Sequence, residues 1–499
     1  MSIRRTEVAG VPTLHRPGQG SRVSAGLLFR VGEADETLAV RGVTRLVEAL
    51  VNPPGAPLPE PPGDGLGDVV TAVTAHGTAD EVAARLAAAV RALRALPVHR
   101  LEAARAEVLG HDHARAPDVG RLSAMVRWGA RGRGLRAYPL VGLPALDAEV
   151  LDVWSQVAFT RENAVLWWDG PLSPHVDLPL PSGERQPLPD APPVTTASPA
   201  WFPDPAPLVH LTGLVPRGAA ALAHQRVLER ALHEELVEPG LAPGVEVRTV
   251  PHDARTALVT VTVPASPGRE DALAGGVVDA LERVRRRRLD ATDRALVEAL
   301  AQECESAPPQ DALAARAADL LLGRDTEPAD DDPAALRAVT PAEIRAVAEA
   351  LHASALAQVP GTGLDWAGWS AVPATSSAAV TGREHAARAG DRATLLLGPE
   401  GTSLRTRAGV VTVRWDEVAA MEAFADGGRW VVGLDGFRVH VEPTVFELEE
   451  RDVAEVDAAV DPARVVHLPA RPADALPRPS TGSDPDDRGR RRPALFRRR

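Results

Sequence analysis

The segment from residue 171 to residue 207 contains twelve prolines and constrains the fold more than any other stretch of the 499-residue sequence. Proline lacks a backbone N–H and fixes φ, so a segment this rich in proline favours an extended connector over a helix or a central strand. The segment separates two parts of similar layout, because each begins with a strand-like run and continues into an amphipathic helix. Two α+β units joined by a long connector are the simplest prediction.

The two parts also close in the same way, with a helix followed by a strand. In the second part, Thr340, Pro341 and Glu343 supply the N-cap, the first helical position and the capping box of that closing helix. In the first part, the closing strand contains the pair Trp167 and Trp168. Successive side chains of a strand point to opposite faces, so we expect one ring in the core and the other ring on the opposite side.

The pattern changes after residue 390 to short strands separated by turns such as Asp435–Gly436, which indicates a small, mostly β module. Beyond residue 470 the chain is rich in Pro, Asp, Ser and Arg and has too little apolar content to fold. The sequence therefore predicts an α+β protein with six segments. They are a first unit 1–170, a Pro-rich linker 171–207, a second unit 208–361, a linker 362–390, a β domain 391–470 and a disordered basic tail 471–499.

The amino-acid composition argues against several classes of function. All 55 basic residues are arginine, which excludes Schiff-base and P-loop lysine chemistry. A formal net charge of −13 argues against a nucleic-acid partner, which would need a basic field over the folded part. The single cysteine, Cys304, can form no internal disulfide, and no run of 18 uncharged apolar residues occurs. We expect a cytoplasmic protein, with a peripheral position at the inner membrane face as a further option.

Three stretches of the first part form an ordered set of landmarks. The turn VGEADE leads into the helix RGVTRLVEAL, and LEAARAEVLGH and YPLVGLPALDAEVLDVWSQVAFTRENAVLWWDG follow later. Together they resemble the M16 family of insulinase, pitrilysin and processing peptidase, whose signature is the inverted zinc motif His-x-x-Glu-His on a helix. The matching positions outside the motif are Gly32, Glu36, Gly42, Gly142, Asn163 and Gly170. The resemblance implies two α/β-sandwich units and extends weakly to residues 208–361.

This sequence differs from the zinc motif at the two histidine positions, which in the family hold the catalytic metal. The resemblance places Arg45 and Ala49 at the two histidine positions, Glu48 at the general-base position and Glu107 at the distal ligand position. Arginine keeps its proton and alanine has no donor atom, so neither side chain can bind zinc. A zinc ion here would lack the imidazoles that give affinity and tetrahedral geometry. We therefore predict no metal, no cofactor and no catalytic residue, although Glu48 keeps its position.

Two interpretations of Arg45 remain open from the sequence. In one, Arg45 and Glu48 form a solvated pair on a helix surface, worth about 0.2–0.5 kcal/mol. In the other, the Arg45 guanidinium lies where the metal would be and pairs with Glu48 and Glu107. In the second part, the stretch HEELVEPGLAPGVEV resembles the segment in which the family places a substrate-holding Arg and Tyr, but Val237 and Pro243 occupy those positions.

These substitutions favour a noncatalytic M16-like protein that binds a peptide or protein partner, with a second M16-like chain as one candidate. An active zinc metalloendopeptidase with atypical ligands, or one completed by a partner chain, is the alternative.

The C-terminal module resembles bacterial PH-like domains through Trp415–Val418 and the Asp435–Gly436 turn. With the basic tail it suggests a third possibility, an adaptor at an anionic membrane surface. The tail could equally be a solubilising, disordered terminus. The arginines that would contact the membrane are Arg490, Arg491, Arg492, Arg497, Arg498 and Arg499.

Overall fold

A computed structural model describes residues 3–18, 20–53, 66–114, 119–195, 197–307, 309–324, 329–361, 363–388 and 393–478. The tail arginines expected to contact a membrane, Arg490 to Arg492 and Arg497 to Arg499, lie outside these ranges. Within them, no helix is long and apolar enough to cross a membrane.

The first unit is a five-stranded sheet with helices on one face. The strands are β1 (Arg4–Val8), β2 (Val11–Arg16), β3 (Val23–Phe29), β4 (Thr71–Gly77) and β5 (Ala164–Asp169), in the order β1-β2-β5-β3-β4. The helices are α1 (Val43–Val51), α2 (Ala79–Arg94), α3 (Leu101–Ala114), α4 (Gly120–Trp128) and α5 (Ala148–Ala158). As expected, Trp168 packs in the core with α1, whereas Trp167 packs on the opposite face of the sheet.

The second unit is a six-stranded sheet with its own helices. The strands are β6 (Ala200–Pro203), β7 (Leu208–Pro216), β8 (Glu246–Pro251), β9 (Thr256–Pro264), β10 (Leu356–Val359) and β11 (Ser370–Ala371), in the order β11-β6-β10-β7-β9-β8. The helices are α6 (Ala219–Leu232), α7 (Glu270–Arg286), α8 (Ala291–Ser306), α9 (Pro309–Leu321), α10 (Pro333–Ala338) and α11 (Pro341–Ala353). The predicted capping box at Thr340 is present at the start of α11.

Two segments predicted to be linkers contribute strands. β6 lies inside the Pro-rich segment 171–207, where Trp201 and Phe202 are buried and pair in parallel with β10. The prolines do not prevent this strand because they lie at its end and outside it, at Pro199, Pro203 and Pro205. β11 lies inside the predicted linker 362–390 and pairs with β6. The second sheet therefore extends beyond the predicted bounds 208–361.

The two units are not packed independently. Helix α9 belongs to the second unit by sequence, but it covers the outer face of the first sheet, where Leu313 and Ala317 join Trp167 in one apolar cluster. Buried Arg127 of α4 also links the units, because its Nη2 donates to the carbonyl oxygens of Thr212 and Ser354, each at 2.9 Å. The two halves share both apolar surface and hydrogen bonds.

The C-terminal β module consists of two four-stranded sheets and one helix around a common apolar core. Its elements are β12 (Arg383–Ala386), β13 (Thr394–Gly398), β14 (Gly401–Thr406), β15 (Gly409–Arg414), β16 (Val418–Phe424), β17 (Arg429–Gly433), β18 (Arg438–Val441), α12 (Glu450–Ala459) and β19 (Val465–Leu468). β12 begins before the predicted boundary at residue 391. Residues 471–478, predicted to be disordered, lie against the module because the Arg471 side chain is anchored there.

The β module packs against both units. Ala419 and Val432 belong to an apolar cluster with Leu38 of the first unit and Leu356 of the second. The Ala130 N–H also donates to the Leu434 carbonyl at 3.0 Å. Leu38 lies in the loop that leads to α1, so the module is fixed close to the helix with the altered motif.

Candidate functional site: a buried arginine and its acidic partners

The turn before α1 fixes the start of that helix. Gly32 has no room for a side chain, since a Cβ there would lie 2.4 Å from the Asp68 carbonyl oxygen. Gly42 precedes α1 with a φ of 100°, which favours glycine. The Glu36 carboxyl accepts the N–H groups of Gly42 at 2.7 Å and Thr44 at 2.9 Å, and so caps the helix from the turn. Gly32, Glu36 and Gly42, three positions that carry the family resemblance, therefore each have a structural role in this chain.

The Glu36 carboxyl is buried, and its ionisation is suppressed. Burial raises the pKa of Glu36 to about 8, and the nearby charge of Glu33 adds to this shift, although the N–H donors of Gly42 and Thr44 oppose it. At neutral pH this carboxyl is therefore mostly protonated. It caps the helix without adding a full negative charge to the site.

Arg45 projects from α1 into a cluster of acidic side chains. Its Nη1 donates to Glu48 Oε2 at 3.1 Å and its Nε donates to Glu33 Oε1 at 2.9 Å. The exposed fraction of the side chain is only 12% for Arg45, 12% for Glu33 and 7% for Glu48. The solvated-pair interpretation of Arg45 is therefore wrong, because these pairs are largely removed from water.

The charges of these neighbours control the titration of the site. Burial alone would lower the pKa of Arg45, but the charges of Glu48 and Glu33 raise it above its usual range. Burial raises the pKa of Glu48 to about 7, which the charge of Arg45 opposes and the charge of Glu33 reinforces. Arg41 also pairs with Glu33, through Nη2 at 3.3 Å. Arg41 and Arg45 thus both face this acidic cluster, to which the mostly protonated Glu36 adds little charge.

The other two predicted site residues do not join this cluster. Ala49 is buried among apolar side chains of the first unit. Glu107 lies part-exposed on α3, and it forms no hydrogen bond or ion pair with any residue in the described ranges. Arg45 thus pairs with Glu48 as expected, but its second partner is Glu33 and not Glu107. The reason is that the Glu33 turn folds directly over the first turn of α1.

The sequence identifies Gly32 and Glu36 as positions of the turn, but it does not identify Glu33 and Arg41 as members of the cluster around Arg45. A usable signal was present, because a helix that carries Arg45 at a buried position requires acidic partners, and the turn contains three acidic residues within four positions. The sequence could not show which of them reaches Arg45.

The side chains present do not fit a zinc ion. The position between Glu33 and Glu48 is filled by the Arg45 guanidinium, and Ala49 offers no ligand atom. Within the described ranges, no group of three or more His, Cys, Asp or Glu side chains could hold a metal ion. Carboxylates that already pair with a fixed cation would have to lose that partner before a metal could bind them.

Comparisons with known proteins identify the fold. No family model matches the sequence, and no curated protein matches it. Among solved structures, a peptidase M16 inactive domain from Pseudomonas fluorescens matches with a TM-score of 0.59 and 14% identity, over 73% of this chain and 99% of that chain. The chain has an M16-like fold.

Two further structures support this assignment. A protease from Helicobacter pylori matches with a TM-score of 0.58 and 12% identity, over 72% of this chain and 100% of that chain. A chain of complex III2 from Candida albicans matches with a TM-score of 0.57 and 12% identity, over 72% of this chain and 96% of that chain. The similar structures thus include an inactive M16 domain, a protease and a chain of complex III2.

Proposed function

We propose that this chain is a noncatalytic M16-like protein that binds a peptide or protein partner, or serves as an assembly subunit. The observation that carries the proposal is the position of Arg45, whose guanidinium lies between Glu33 and Glu48 in a largely buried site. A general base needs a free carboxylate and an activated water. Glu48 is instead held by an arginine, and no imidazole is present beside it.

The similar structures support the same proposal. One of them is an inactive M16 domain, and another is a chain of a multi-subunit complex, so this fold occurs in proteins other than active peptidases. A protein partner, including a second M16-like chain, is consistent with those neighbours. We place the protein in the cytoplasm on the composition argument above.

We further propose that residues 383–468 form a PH-like module that serves as a docking element. Four antiparallel strands followed by three antiparallel strands and a helix support this assignment, since PH-like domains share that order. The module contacts the loop before α1 and the sheet of the second unit. This position suits a module that fixes the two units relative to each other.

Metal analysis and a cleavage assay test the main proposal. Purified protein dialysed against zinc should contain far less than one zinc per chain, and it should not cleave a quenched fluorescent casein. Glu48→Gln is the matched variant, because removal of a general base would abolish any cleavage by a zinc peptidase. Stoichiometric zinc together with cleavage that a chelator and Glu48→Gln both abolish would overturn the proposal in favour of an active metalloendopeptidase.

A further inference from the structure

The β module contains a built site for a guanidinium group, far along the chain from α1. Arg471 lies three residues beyond the end of β19, in a segment without regular structure. Its Nη1 and Nη2 donate to the two carboxylate oxygens of Glu442 at 2.6 and 2.9 Å, and its Nε and backbone N–H both donate to Asp426. Such paired, charge-assisted hydrogen bonds match the planar fork of arginine.

Aromatic rings complete the site. The Arg471 guanidinium carbon lies 4.2 Å from the centre of the Phe424 ring and 5.7 Å from the centre of the Trp430 ring. The Trp430 indole N–H donates to the same Glu442 carboxylate, which fixes that carboxylate in place. We call Phe424, Asp426, Trp430 and Glu442 the arginine cage. Two carboxylates and two ring faces around one cation form a strong recognition site.

The arginine cage requires a glycine at position 428, and it contains the buried carboxylate of Glu442. A Cβ at Gly428 would lie 2.1 Å from Arg471 Nη2 and 2.7 Å from Glu442 Oε2, so only glycine leaves room for the guanidinium. The Glu442 side chain is 2% exposed, and the Asp426 side chain is 15% exposed. An empty cage would leave these carboxylates facing each other without a cation, so it requires an arginine-like ligand.

The segment that supplies the arginine is held by the contacts of Arg471 and by a hydrogen bond from the Thr444 hydroxyl to the Pro477 carbonyl at 2.8 Å. Most of residues 472–478 are exposed or half-buried, and the module core is complete without them. The main contacts that must break for the segment to leave are those of Arg471 itself, which an arginine of a partner segment would replace. A tethered ligand so close to its site has a high effective concentration, at the millimolar level for short tethers, which keeps the site filled in the isolated chain.

We propose that the arginine cage is a recognition site for an arginine side chain in a peptide segment of a partner protein, and that Arg471 fills it as a tethered ligand which the partner segment replaces. A lysine would reach the carboxylates as a point charge but could not pair with both in the bidentate manner. The partner segment is therefore arginine-bearing and extended, like residues 469–478. The proposal is independent of the altered zinc motif.

Peptide binding to full-length variants tests the proposal. The probe is a fluorescein-labelled decapeptide with the sequence of residues 469–478, PARPADALPR, and a second decapeptide, the alanine peptide, carries alanine in place of both Arg471 and Arg478. By fluorescence anisotropy, Arg471→Ala protein should bind the first peptide at least about tenfold more tightly than wild-type protein does, because the tethered competitor is gone. It should not bind the alanine peptide at the same concentrations.

Three controls make the result decisive. Arg478→Ala protein keeps the cage filled and should behave as wild type. Arg471→Lys protein keeps a cation in the cage and thus its fold, and it should bind the peptide with intermediate affinity. Addition of Glu442→Gln to Arg471→Ala should abolish the gain. If Arg471→Ala and Arg471→Lys bind the peptide no better than wild type, or bind both peptides equally, Arg471 is a fixed structural clamp and the proposal is wrong.

Hydrogen–deuterium exchange tests whether a peptide displaces Arg471 from the cage in the wild-type chain. Millimolar arginine peptide should increase deuterium uptake in residues 469–478 of wild-type protein, because the tethered segment is displaced. The alanine peptide should leave that uptake unchanged. Unchanged uptake with both peptides would overturn the replacement step of the proposal.

Discussion

Replacement of Arg45 by methionine is the sharpest test of the buried ion cluster. The change keeps an unbranched apolar stem but removes the cation that pairs with Glu33 at 2.9 Å and Glu48 at 3.1 Å. Two charges about 4 Å apart attract each other by about 4 kcal/mol at an effective dielectric constant of 20. Loss of one partner of a buried pair typically costs about 3–5 kcal/mol, because the group left behind must stay buried as a charge or take up a proton. We expect a loss of that size at pH 8, measured by urea unfolding followed by circular dichroism.

The pH dependence of the loss identifies its cause. In Arg45→Met the pKa of Glu48 rises further above its value of 4.5 in the unfolded chain, because the opposing charge of Arg45 is gone. The folded state then holds a proton that the unfolded chain has released, so stability falls as the pH rises through that window. Compared with wild type, the loss at pH 5.5 should be smaller than at pH 8 by at least about 1 kcal/mol.

Arg286→Met provides the matched control. Arg286 pairs with Glu282 at 2.8 Å on α7, but its side chain is 80% exposed. Such exposed helix pairs contribute about 0.3–0.5 kcal/mol, so this variant should unfold almost as wild type does. A loss below about 1 kcal/mol for Arg45→Met, or an equal loss at both pH values, would refute the buried-cluster argument.

Four further variants, one of them a control, test other parts of the structure by the same unfolding assay. Gly32→Ala should lower the free energy of unfolding by at least about 2 kcal/mol because its Cβ meets the backbone of Asp68, whereas Gly110→Ala on α3, with nothing within 4 Å, should raise it by about 0.5–1 kcal/mol. Glu36→Gln should flatten the stability profile between pH 5 and 8, since a pKa raised from 4.5 to about 8 makes the wild type lose stability as the pH rises through this range. Arg127→Met removes the donor shared by the two units and should cost about 1–3 kcal/mol, with no change in the helix content of the folded protein.

Local patterns predicted much of the fold because they act within a few residues. The capping box at Thr340, the opposite orientation of Trp167 and Trp168, and the duplicated strand-to-helix layout all follow from short-range rules that the structure obeys. The strand inside the Pro-rich segment was missed because its pairing partner, β10, lies more than 150 residues later in the chain. Long-range pairing of this kind leaves no mark on local composition.

The same distinction between local patterns and long-range contacts applies to the candidate site. The pair between Arg45 and Glu48 could be predicted, since it depends only on positions along one helix. The role of Glu33 depends on how a turn folds back over α1, and the arginine cage depends on strands and a tail segment that meet in three dimensions. Residue types at fixed spacing indicate which chemistry one helix can support. They do not indicate which distant residues it contacts.

The placement of α9 on the first sheet also has a consequence for biosynthesis. The first unit is complete in sequence at Asp169, the end of β5, but one face of its sheet stays uncovered until Leu321, the end of α9, has been made. At about 5–20 residues per second, roughly ten to thirty seconds of translation separate the two events. During that interval the apolar surface around Leu28 and Trp167 is exposed to water in the nascent chain. We expect a chaperone that contacts the nascent chain to bind this surface.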